Sequence, residues 1–172
     1  SGLDFSTAIN ITQPRFRGDA FGYTSLLAFS QILDINFDYE FHLRFQLANK
    51  HSALQNNLIF FTGQKGHGLN GDDFLVVGLA NGSVDYSYNL ESDKATIRSK
   101  PLSLNLRIHM VHLGRVFLMD FLKVDNHKKK YTISSGTLIG LNVFSLFYVG
   151  GYNVYTPDLL TNGAKFLKTF KG

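Results

Sequence analysis

The chain has 172 residues and a formal net charge of +4, so residues 1–172 read as one domain with an ample core, faintly disposed toward an anionic partner. It has no cysteine, which excludes disulfides, thiolate zinc sites and thiol catalysis within the segment without fixing the compartment. Sixteen Phe and eight Tyr against three Pro favour strands. No apolar run is long enough to span a membrane, and the N-terminus lacks the basic-then-apolar pattern of a leader.

Residues 26–33 read as a helix or a strand, and the aromatic spacing beginning at Tyr23 suits a strand at least as well. Next, Tyr39, Phe41, Leu43, Phe45 and Leu47 alternate with Glu40, His42, Arg44 and Gln46, the period of a half-buried strand. Residues 57–62 form a short apolar strand running into Gly63, and Gly66, Gly68 and Gly71 make the following loop. The run Gly71-Asp72-Asp73-Phe74 opens a further strand that turns through Asn81-Gly82. That pair is a strong hairpin signal, because a type I′ turn needs positive φ at both central residues. Val84, Tyr86, Tyr88 and Leu90 then alternate with Ser83, Asp85, Ser87 and Asn89, placing the second set on an outer face.

Residues 102–113, 121–124 and 131–133 read as further strands, and residues 144–149 as one ending in Gly150-Gly151. Many short strands separated by polar turns imply an all-β sandwich of two antiparallel sheets. No internal repeat, linker or low-complexity tract interrupts them.

Several of these segments, in order, resemble the laminin G-like domain family. Phe16-Arg17-Gly18 with Tyr23 is similar to its opening, Phe41-His42-Leu43-Arg44 to its "F-x-F-R-T" strand, and residues 57–63 to "G-L-L-L-Y-x-G". Gly71-Asp72-Asp73-Phe74 with its hairpin follows. His109-Met110-Val111 with Gly114-Arg115 resembles "W-H-x-V-x-x-x-R", with Ile108 in the tryptophan position. Leu122-Lys123-Val124-Asp125 resembles "L-x-V-D", and Phe147-Tyr148-Val149-Gly150-Gly151 "L-Y-V-G-G". Within the family, the Phe16-Arg17-Gly18-Asp19 opening and the Gly150-Gly151-Tyr152 segment are most similar to members from the photoreceptor matrix.

Two stretches depart from the pattern. Leu90-Glu91-Ser92-Asp93 stands where the family has "L-G-S-G", and Phe170-Lys171-Gly172 stands just before the family's closing, Cys-containing strand. The resemblance implies a concanavalin-like jelly roll.

The resemblance also implies one Ca²⁺ at the rim, held by the side chains of Asp73 and Asn142 and the backbone carbonyls of Leu90 and Gly140. Calcium takes hard oxygen ligands in a flexible shell, and a cage with a single carboxylate binds it weakly, at roughly 10⁻⁴ to 10⁻³ M. The bland alternative is that Asp72 and Asp73 close a turn and Asn142 caps a bend. The match of both side chains at the family spacing weighs toward metal, and Glu91 beside Leu90 would add a ligand or distort the site.

Other signals weigh less. Arg17-Gly18-Asp19 spells an integrin tripeptide, but Gly18 belongs to the family's opening strand, where loop-tip presentation is not expected. Lys128-Lys129-Lys130 would grip an acidic glycan as point charges, although a solvated turn is the commoner role for such a run. His109 and His112 face opposite sides of a strand and cannot share an ion without a bulge. Asn10 and Asn81 begin N-glycosylation sequons, the second at a hairpin tip.

The aromatics alternate inward, which speaks against a nucleic-acid platform. No catalytic triad or carboxylate pair can be placed, so an enzyme on this architecture would have only fold analogy behind it. The resemblance implies a secreted, non-enzymatic module of the extracellular matrix. It would recognise acidic or O-mannosyl-type glycans, or a glycosylated matrix or cell-surface protein, through a Ca²⁺-bearing rim. The alternative is a structural protein-interaction domain with no functional metal.

Overall fold

A computed structural model of the chain describes residues 15–16, 27–29, 39–54, 57–63, 74–90, 93–105, 107–133, 147–150 and 168–172. The described strands, with one helical turn, are β1 (Leu27–Phe29), β2 (Tyr39–Phe45), α1 (Lys50–Leu54), β3 (Asn57–Gly63), β4 (Phe74–Ala80), β5 (Ser83–Leu90), β6 (Asp93–Pro101), β7 (His109–Val116), β8 (Met119–Val124), β9 (Lys130–Ile133), β10 (Phe147–Val149) and β11 (Lys168–Thr169). They form two sheets. The larger runs β1-β10-β3-β4-β5-β6 with β11 added to β3, and the smaller runs β2-β7-β8-β9. β11 joins β3 in parallel; every other pairing is antiparallel.

Period-two alternation builds the core between the sheets. Leu75, Val77, Leu79, Val84, Tyr86 and Tyr88 of the larger sheet meet Tyr39, Phe45, Val111, Leu113, Leu122 and Val124 of the smaller one, all buried. The Asn81-Gly82 turn has φ of 52° and 80°, the left-handed geometry its sequence predicts. A second aromatic column seats Phe170 between Phe16 and Phe45, with edge-on ring contacts at 5.9 and 5.7 Å. The amide of Phe16 donates to the carbonyl of Gly172, and the amide of Gly172 donates back.

Polar groups are buried at the sheet interface as well. The phenol of Tyr39 is hydrogen-bonded to that of Tyr86, and Tyr86 donates to the Asp120 carboxylate at 3.3 Å. Arg115 stands opposite both Tyr39 and Asp120 in the register. Its guanidinium lies 5.1 Å from the Tyr88 ring centroid, and its Nε donates to the Phe117 carbonyl at 2.7 Å. Phe117 has φ of 54°, a costly left-handed geometry for a bulky residue, and the buried arginine holds that turn in place.

Three expectations change. Residues 102–113 are not one strand: β7 begins only at His109, and the preceding strand is β6. β6 carries its period as Ala95, Ile97 and Ser99 against Thr96, Arg98 and Lys100, with a single large apolar residue to advertise it. It ends in Pro101, tolerated because β6 is an edge. The outer face of β5 is not solvated where it was expected to be. Ser83 and Asp85 are buried, with Arg98 of β6 bonding both Asp85 oxygens and, through Nη2, the Ala80 carbonyl at 2.7 Å. The short α1 also went unforeseen; its Ala53 carbonyl accepts from the Gly82 amide. Of residues 26–33, the described part, β1, is a strand.

Burial raises the phenols of Tyr39 and Tyr86 well above their ordinary value of 10, and the Asp120 charge adds to the effect. Two of the eight tyrosines are therefore expected to stay protonated through alkaline titration while the fold persists, read as missing tyrosinate absorbance. Because both folded values are raised, the stability these neutral phenols contribute is complete below about pH 10 and declines above it. Urea midpoints across that range check the sign. Gly150 has φ of 81°, and a Cβ there would overlap the Phe16 ring. Gly150→Ala is expected to cost about 1–3 kcal/mol in urea unfolding.

Candidate functional site

The antiparallel registers gather strand ends at one rim of the larger sheet. Gly63 pairs with Phe74, Phe74 with Asn89, and Leu90 with Asp93. On the far side of β3, Tyr148 pairs with Phe61, which sets the start of β10 beside the end of β3. The start of β4, the end of β5 and the start of β10 therefore share an edge. Asp73 immediately precedes Phe74, and Gly140 and Asn142 lie a few residues ahead of Phe147; all three fall outside the described residues. Leu90 is described at the end of β5, where it pairs with Asp93 of β6; Glu91 and Ser92 between them fall outside the described residues. In sequence, Asp73 adjoins the start of β4, Leu90 ends β5, and Gly140 and Asn142 precede β10.

The three lysines part company. Lys128 is exposed, Lys129 places its ammonium 4.6 Å from the Phe121 ring centroid, and Lys130 donates to the Arg98 carbonyl at 2.8 Å. Two of the three cations thus already have a place within the sandwich. Asn81 is exposed at its hairpin tip, whereas Asn10 and the Arg17-Gly18-Asp19 tripeptide lie outside the described residues.

His109 and His112 diverge as expected. His109 is buried beside Phe45, and its Nδ1 lies 2.8 Å from Asp125 Oδ2. The other oxygen of Asp125 accepts the Met110 amide at 2.8 Å, and the Asp125 amide donates to the Met110 carbonyl. Asp125 reaches both partners from φ of 50°, a conformation Asp tolerates better than most residues. The histidine of one sequence motif and the aspartate of another are thus two halves of one clamp between β7 and β8.

On the opposite, solvent face of the smaller sheet, His112 meets His42 and Glu40. His42 stands directly across from His112, with rings stacked 4.1 Å apart at 12°. Glu40 Oε1 lies 3.1 Å from His42 Nε2 and is hydrogen-bonded to His112 Nε2. That bond to His112 is the largest influence holding the Glu40 carboxyl below its ordinary 4.5. Sequence reasoning placed Glu40 and His42 on one outward face but had no register with which to bring His112 opposite them.

The Laminin G domain family model matches residues 51–172. Over its full length (100%) the chain is 70% identical, across 173 residues, to Protein eyes shut homolog of Homo sapiens, and covers 6% of it. It is 27% identical over 152 residues to the Basement membrane-specific heparan sulfate proteoglycan core protein of Mus musculus, covering 88% of this chain and 4% of that protein. The chain thus spans a small part of the curated relatives it matches. Domains LG4-5 of the mouse laminin alpha1 chain align with a TM-score of 0.72 at 16% identity, covering 86% of this chain and 36% of that one. That likeness shows the fold, the jelly-roll sandwich of two antiparallel sheets.

Asp125→Ala removes the acceptor for the Met110 amide and the partner of buried His109. It is expected to lower the unfolding free energy by about 1–3 kcal/mol, measured by urea denaturation.

Proposed function

The chain belongs to the laminin G domain family, and on that premise we propose that it is an extracellular, non-enzymatic interaction module that recognises acidic glycans through a calcium-bearing rim. Matrix proteins among its relatives support the extracellular setting. The opening and Gly150-Gly151 motifs, in their resemblance, favour the matrix around photoreceptors. Residues 1–172 act as one laminin G-like unit in this reading.

The observation that carries the rim is the register: β4 starts, β5 ends and β10 starts at one edge. Asp73 would supply the carboxylate, Asn142 its amide oxygen, and Leu90 and Gly140 their carbonyls. Bound calcium would supply Lewis acidity toward sugar hydroxyl and carboxylate oxygens that complete its shell. Asp73 contributes the charge, the backbone carbonyls fix the approach, and the exposed Lys128 adds long-range attraction to an anionic chain. O-mannosyl-type acidic glycans or glycosylated matrix proteins fit that chemistry. Asn81, exposed on its turn, suits N-glycosylation without burying the sugar.

A second reading, a protein-interaction domain without functional metal, draws on one observation. Val116, Met119 and Ile133 stand directly opposite one another in register on the outer face of the smaller sheet, all exposed, with Phe117 at the adjoining turn and Tyr131 beside them. Such a strip suits a protein partner.

Calcium titration by isothermal calorimetry separates the readings. The intact chain is expected to bind at roughly 10⁻⁴ to 10⁻³ M and Asp73→Ala not at all, with glycan retention lost in EDTA. A partner kept through both treatments, with no heat from calcium, would replace the first reading by the second.

A further inference from the structure

We propose that Glu40, His42 and His112 form a second, separate cation site, selective for a borderline transition-metal dication of the zinc type, on the solvent face of the smaller sheet. The register is its foundation. His42 and His112 are direct cross-strand partners, and Glu40 lies two positions before His42, on the same face and diagonal to His112. The donor atoms of all three residues lie within 4.8 Å of one another. Zinc binds imidazole nitrogen and carboxylate oxygen at about 2.0–2.2 Å in tetrahedral geometry, so its ligands stand roughly 3.3–3.5 Å apart. Small rotations of exposed side chains close the remaining gap, and the backbone need not move.

The donor chemistry selects the metal. Two imidazoles with one carboxylate suit zinc or copper, whereas calcium and magnesium prefer oxygen throughout. The site therefore does not compete with a calcium rim built on the other sheet. His112 is preset: it is half-buried, with Phe121 edge-on to its ring at 5.0 Å. His42 and Glu40 are more open, with side chains 70% and 54% exposed, so the ion reaches the donors from solvent. Arg44, next on the same face of β2, and Lys123, directly opposite His112 on β8, add repulsion that limits affinity to the micromolar range. Three protein donors leave a tetrahedral position open, as in zinc sites that accept an outside ligand, and unlike closed structural ones.

The test is zinc chloride titrated into the 172-residue chain by calorimetry, with excess calcium throughout, alongside the imidazole nitrogen NMR shifts of the histidines. One equivalent is expected to bind, shifting His42 and His112. Affinity should fall at least about tenfold in each of His42→Ala, His112→Ala and Glu40→Gln. His51→Ala, in α1, should bind as the unaltered chain does. Circular dichroism of each metal-free variant distinguishes a lost ligand from a lost fold. No zinc uptake overturns the proposal, and so does uptake undiminished in folded His42→Ala and His112→Ala proteins.

Discussion

Two sheets that share an apolar core can slide; a polar cluster between them cannot. The buried contact from Tyr39 through Tyr86 to Asp120, with Arg115 beside it, sets the sandwich in one alignment. Tyr86 comes from the larger sheet and the other three residues from the smaller. Any slip would leave a buried carboxylate and guanidinium without their neighbours, a penalty several times that of a misplaced methyl. The Arg115 guanidinium also holds the tight turn at Phe117, which fixes how β7 hands over to β8. The β7–β8 clamp of His109 and Asp125 and the outward meeting of His42 with His112 follow from the smaller sheet's own registers, which also set Arg115 between Tyr39 and Asp120.

Function on this scaffold is spread over surfaces that do not touch one chemistry. The rim of the larger sheet collects strand ends, and the hard-cation site proposed there would rest on carbonyls as much as on side chains. The outer face of the smaller sheet is built from side chains on regular strands, with imidazoles at one part and an apolar strip at another. A laminin G domain can in this way offer several separate surfaces from a single core.

The hairpin at Asn81-Gly82 was legible because its geometry is local: two residues demand positive φ and the neighbours alternate. β6 was not, since Ile97 is its one large apolar residue and its identity comes from pairing with β5. Asp85 looked solvent-facing by period, and its buried carboxylate is bonded by Arg98, delivered by that unread strand. The four expected calcium donors rest on the family's spacing alone, and of them only Leu90 lies among the described residues. The cluster of Glu40 with two histidines needs the β2–β7 register, a long-range fact that no local pattern encodes.

Lys130 extends its ammonium to the Arg98 carbonyl on β6, the last strand of the larger sheet. An open strand edge is an invitation to a neighbour, and here a backbone acceptor on that edge is already occupied by a charged cap. Lys94, Arg98, Lys100 and the terminal Pro101 make the rest of the strand a poor template for another chain. The same lysine that reads in sequence as a ligand hook is thus committed to capping a strand edge.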